Sequence, residues 1–130
     1  MKQKILLDTQ AFIFALTSPE ILTTKIKKLI SNQENELYLS IASIWEMTIK
    51  SSLGKLKLDL SIKDLVQTSV KETGLEILPI KAEHAYHVET LPFHHKDPFD
   101  RMIIAQCIVE KISVISSDAA FDAYDLKRLW

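Results

Sequence analysis

Short apolar runs along the chain alternate with longer stretches in which apolar residues recur every three or four positions. "KILL" (4–7), "ELYLSI" (36–41), "LEILPI" (75–80) and "ISVISS" (112–117) are of the first kind and predict strands. "LKRLW" (126–130) predicts a fifth strand at a sheet edge, and Pro79 marks the third run as ending there or lying at an edge. Helical spacing runs from Thr9 to about Leu16 and through "PEILTTKIKKLISNQ" (19–33), where Ile21, Leu22, Ile26, Leu29 and Ile30 share one face. It returns in "SIWEMTIKSSL" before Gly54, in "SIKDLVQTSVKET" before Gly74, and in "KAEHAYHVETL". Both glycines suit the left-handed residue that closes a helix. Residues 98–111 are apolar nearly all round, which predicts a buried helix.

Strands that alternate with helices imply a mainly parallel sheet covered on both faces. The expected fold is a three-layer α/β/α domain with four to five strands, one unit over residues 1–130. In such sheets, ligand sites form beyond the carboxyl ends of the strands, where the strand order reverses. Acids following strands are therefore the first candidates for chemistry.

Composition narrows the possibilities. With 47% apolar and 25% charged residues the chain reads as globular, and a net charge of -1 gives no global field for gripping a polyanion. Two glycines are too few for a P-loop or a dinucleotide-binding fingerprint. The single cysteine, Cys107, lies in an apolar run and reads as a core residue of a protein in a reducing cytoplasm. No stretch reaches the ~20 apolar residues of a bilayer span, and Asp8 interrupts the N-terminal apolar run before it resembles a signal peptide.

Asp8 directly follows the first strand and Asp118 the fourth; each also suits a helix N-cap. Glu46 lies among Ile44, Trp45, Met47 and Ile49, and Ser43-x-x-Glu46 fits a capping box, so cap and ligand are both open for it. Asp97 before Pro98 fits an N-cap followed by proline at the first helical position. Asp100 then falls in the first turn, where the cap is already supplied, so its carboxylate must face a cleft or a partner. Carboxylates ~4 Å apart repel by about 4 kcal/mol per pair at an effective dielectric near 20. If Asp8, Glu46, Asp100 and Asp118 converge, they need protons or a cation. All-oxygen ligands select Mg²⁺ or Mn²⁺ over Zn²⁺, and such sites serve phosphoryl transfer.

Four stretches carry a resemblance: "LLDTQAFIFAL", "LSIASIWEMTIKSSLGKL", "LPFHHKDPFDRMIIAQ" and "VISSDAAFDAYDLKRLW". In this order, over essentially the whole chain, they resemble the PIN-domain family, and within it the VapC-type toxins of bacterial toxin–antitoxin pairs. The resemblance implies a metal-dependent endoribonuclease with Asp8, Glu46, Asp100 and Asp118 as catalytic metal ligands, and Thr9 and Ser116 as hydroxyl supports. It further implies an RNA substrate, hydrolysis to a 5′-phosphate without the 2′-hydroxyl, a cognate antitoxin and a homodimer. Gln10 stands where histidine is common among such relatives, and Asp97 is an additional acid that either caps or shares in metal binding.

Other polar features are less specific. His95, Lys96, Arg101 and Lys50 flank the acids and are candidate RNA contacts at the rim; a solvated polar surface explains them equally. His84 and His87 have a spacing that can hold zinc but lack further ligands nearby, and Trp45 and Trp130 read as packing residues. The rival to an enzyme is a catalytically silent PIN-like module that binds RNA or protein. A phospho-acceptor domain lacks its paired acids and late lysine here, and a DNA nuclease of the same fold is a further alternative.

Overall fold

The computed structural model describes residues 2–130. Its sheet has five strands: β1 (Lys4–Leu7), β2 (Glu36–Ser40), β3 (Glu76–Leu78), β4 (Ser113–Ile115) and β5 (Arg128–Leu129). All pair in parallel, in the order β3-β2-β1-β4-β5. β1 is central, with Leu7 level with Leu39 of β2 and with Ile115 of β4. The chain leaves β1 toward β2 on one side and returns to β4 on the other. The strand order therefore reverses between β1 and β4, and the crevice of a parallel sheet opens there.

The helices are α1 (Thr9–Thr17), α2 (Thr24–Ser31), α3 (Ile41–Ser52), α4 (Ile62–Thr73), α5 (Ala82–Val88) and α6 (Pro98–Glu110). Alternation along β1 sends Ile5 and Leu7 to one face and Leu6 to the other. On the first face Ala11 and Phe12 of α1, Ile26 of α2, Met47 of α3 and Ile62 and Val66 of α4 complete a core. On the second, Leu6 and Val114 meet Ile103, Ile104 and Cys107 of α6 and Phe121. This is the expected three-layer α/β/α arrangement, with every strand parallel.

Local signals account for most boundaries. Asp97 caps α6 with Pro98 at its first position, and Gly74 closes α4 with φ of 73°. The stretch expected as one helix from Pro19 divides into a 3₁₀ turn, Pro19–Ile21, and α2, because Thr23 supplies a fresh N-cap by accepting from the Ile26 amide. Of the two roles open to Glu46, the capping box with Ser43 does not form. β2 runs straight into α3, so Ser40 is the cap, accepting from the Ala42 amide, and Glu46 lies beyond the first turn. Ser40 also donates to Gln106 Oε1, whose amide nitrogen donates to the Pro79 carbonyl, tying the end of β2 to α6.

Candidate active site

Asp8, Asp97 and Asp118 each have one carboxylate oxygen held by backbone amides of the following turn, whereas Asp100 faces His95 and Glu46 is bonded at both oxygens. Asp8 follows β1 and caps α1; its Oδ1 accepts from the Ala11 amide at 2.8 Å, and the Ser116 hydroxyl also donates to it. Asp118 follows β4 and caps a 3₁₀ turn, Ala119–Ala123, accepting from the Ala120 amide through Oδ1. Its Oδ2 lies 2.9 Å from His95 Nε2. Asp97 Oδ1 accepts from the Phe99 and Asp100 amides at 2.8 and 3.1 Å. Asp100 stands in the first turn of α6, with Oδ2 3.1 Å from the same His95 nitrogen.

Glu46 reaches the site from α3. Thr9, next after Asp8, donates to Glu46 Oε1 at 2.7 Å and lies 2.9 Å from Ser43 Oγ. Glu46 Oε2 accepts from Lys50 Nζ at 2.7 Å, one helical turn on. The Glu46 side chain is thus held from both ends while only 6% of the residue is exposed. One cleft of about 290 Å³ is lined by Asp8, Glu46, Asp97, Asp100 and Asp118, together with Thr9, Gln10 and Lys50. A larger hollow of about 400 Å³, beside Asn32 and Thr73, has a single acid in its lining, Glu72, and lacks this convergence.

The electrostatics follow from that crowding. Burial pushes the Asp100 carboxyl up to about 7, with Asp97, Asp8 and Glu46 adding to the rise and His95 opposing it. Asp8 is raised chiefly by burial, then by Asp118 and Glu46, against the hydrogen bonds from Ser116 and Ala11. Lys50 is raised by its bond to Glu46 and by the charges of Asp97 and Asp100. The cleft therefore favours added positive charge. Its donors are predominantly carboxylate oxygens, a set that fits Mg²⁺ or Mn²⁺ better than Zn²⁺.

The remaining candidates fall differently from one another. Ser116 is buried against Asp8, and Lys96 is exposed on the loop before α6. Arg101, expected at the rim, is buried instead, and its guanidinium donates to the carbonyls of Val88, Leu91, Pro92 and His95. It organises the loop ahead of α6 and has no free edge for a phosphate. His95 turns inward onto Asp100 and Asp118; nothing in its spacing singled out that contact. Ser43 was likewise legible only as a possible cap. His84 is fully buried, accepting from the Lys81 amide through Nδ1 and pairing with Glu110 at 2.7 Å, which accounts for it without zinc. Trp45 does not pack inward: it is 58% exposed, edge-on to Phe99 at 5.1 Å.

The PIN-domain family model matches residues 5–127. The chain belongs to the PIN-domain family. Three solved structures share the PIN fold seen here. VapBC2 from Rickettsia felis, bound to a promoter DNA fragment, has a TM-score of 0.73 at 16% identity, covering 98% of both chains. FitAcB from Neisseria gonorrhoeae has a TM-score of 0.66 at 22% identity, covering 97% of this chain and 96% of that one. The PIN domain endonuclease Utp24 has a TM-score of 0.52 at 15% identity, covering 92% and 74%. Among curated proteins no sequence match is found.

Proposed function

We propose that this PIN domain is a metal-dependent endoribonuclease and the toxin of a toxin–antitoxin pair. The observation that carries the proposal is the convergence of Asp8, Glu46, Asp100 and Asp118 on one cleft at the point where strand order reverses. These four would hold a divalent cation, with Asp97 primarily a helix cap. When bound, Mg²⁺ or Mn²⁺ supplies charge neutralisation at the phosphate and acidifies an attacking water. Ser116 and Thr9 would keep Asp8 and Glu46 oriented, and Lys50, at the cleft, and Lys96, exposed on the loop before α6, would attract the RNA backbone. Water adds to phosphorus, the bond to the 3′ oxygen breaks, and the departing oxygen takes a proton. The products are a 5′-phosphate and a 3′-hydroxyl.

The similarity to VapBC structures supports a small antitoxin protein as partner, and the family resemblance supports a homodimer. Among the described residues no helix is long and apolar enough to cross a membrane, in keeping with action on cytoplasmic RNA. The test is cleavage of a mixed structured RNA by metal-stripped protein, with and without Mg²⁺ or Mn²⁺, beside Asp8→Asn and Asp100→Asn. Metal-dependent cutting lost in both variants is expected. Folded wild type that cuts none of several RNAs would favour a silent binding module, and equal cutting of matched DNA would overturn the RNA preference.

A further inference from the structure

His95 takes no part in the hydrolysis outlined for this cleft, yet it makes the closest contacts to two of its acids. Its Nε2 lies 2.9 Å from Asp118 Oδ2 and 3.1 Å from Asp100 Oδ2. On the opposite edge of the ring, the Asp97 amide donates to Nδ1 at 3.3 Å. A ring nitrogen that accepts an N–H carries no proton of its own, so the ring proton is assigned to Nε2, facing the carboxylates. Binding a cation through Nε2 would require the other tautomer, with the Nδ1 proton set against the Asp97 amide. His95 is arranged as a hydrogen-bond donor to the acids and not as a ligand beside them.

The ring has little freedom to turn away. The His95 amide donates to the Tyr124 hydroxyl at 2.8 Å, its carbonyl accepts from Arg101 at 3.2 Å, and its ring stands edge-on to the buried Phe121 at 5.7 Å. Yet the two Oδ2 atoms are among those that a hard cation would take. A cation and the N–H proton cannot both face the same pair of oxygens, because the positive charges oppose each other.

We propose that His95 is an intramolecular competitor for the divalent cation, its Nε2–H standing between Asp100 and Asp118 and lowering the affinity of the cleft for metal. The proposal rests on the reading of the cleft as a cation site. It is tested by Mn²⁺ binding to the metal-stripped full chain without RNA, followed by electron paramagnetic resonance at a single fixed pH. The variants are His95→Ala and His95→Phe; the second keeps a ring against Phe121 but loses the donor. Both are expected to bind Mn²⁺ about ten- to hundredfold more tightly than wild type, the scale of a lost charge-assisted hydrogen bond. Weaker binding in both would make His95 a ligand, and unchanged binding would make it a packing residue; either result overturns the proposal. Asp8→Asn separates the two levels. Wild-type binding that Asp8→Asn abolishes and the His95 variants leave unchanged defeats only the role of His95, whereas no binding by any of these proteins defeats the cation site and this proposal with it.

Discussion

Thr9 donates to Glu46 across 37 positions of sequence, at 2.7 Å. The bond joins the first residue of α1 to α3 and, with the bond from Lys50, orients the buried Glu46 carboxylate at the edge of the cleft. Thr9→Val keeps the shape of the side chain and removes the donor. Cleavage is expected to fall at least tenfold while stability falls by about 1–2 kcal/mol, the range for a buried hydrogen bond and its unsatisfied partner. Thr9→Ser should restore most of the activity. Wild-type turnover in Thr9→Val, measured beside its denaturation curve, would show that Glu46 needs no such support.

Asp100 gives the metal-free protein a distinct pH dependence. Its carboxyl is raised from 3.8 to about 7 in the fold, mainly by burial. Below the unfolded value both states hold the proton and the contribution to stability is complete. As pH rises through that value and on to about 7, the unfolded chain ionises first, so the metal-free fold loses stability. Asp100→Asn removes this penalty. In the presence of a chelator the variant should be more stable than wild type at about pH 8, by a few kcal/mol at most given ~1.4 kcal/mol per pKa unit, with little gain near pH 4. Urea curves at both pH values check this, and an equal difference at both would refute it.

Asp97 and Asp100 share a helix turn but not a role. Asp97→Ala should cost about 1 kcal/mol through loss of the α6 cap. Asp97→Ser keeps a cap and removes the charge, so it should retain stability and most of the cleavage, unlike Asp100→Asn. Loss of Mn²⁺ binding in a stable Asp97→Ser protein would place Asp97 among the ligands.

Arg101 is a structural cation. Its removal leaves the carbonyls of Leu91 and His95 without their donor and takes one of two donors from those of Val88 and Pro92, which also accept from the Leu91 amide and the Tyr124 hydroxyl respectively. Arg101→Met is expected to lower stability by about 3 kcal/mol or more. Arg101→Lys should recover little of it, because an ammonium cannot reproduce the planar fork. An unchanged melting temperature with weakened RNA binding would instead return Arg101 to the rim.

What the sequence by itself determined is local. The period of the apolar residues separated strands from helices, Pro98 after Asp97 announced the start of α6, and Gly74 its left-handed closure of α4. Strand–helix alternation implied a layered parallel sheet, and acids placed just after strands could be named as candidates because parallel sheets open their crevices at that end. These features depend on backbone sterics, capping and two short periodicities, which act over a few residues.

What only the tertiary structure decided is which distant groups meet. The order β3-β2-β1-β4-β5 sets Asp8 beside the Ser116–Asp118 segment, and the direct run of β2 into α3 turns Ser43 from a cap into a neighbour of Thr9. Burial of Arg101 and the inward turn of His95 came from a loop folded over α6, and the exposure of Trp45 from a helix face left uncovered. Hydrogen bonds between side chains tens of residues apart leave no periodic trace, because they depend on strand order and helix rotation, and only the packed core fixes those.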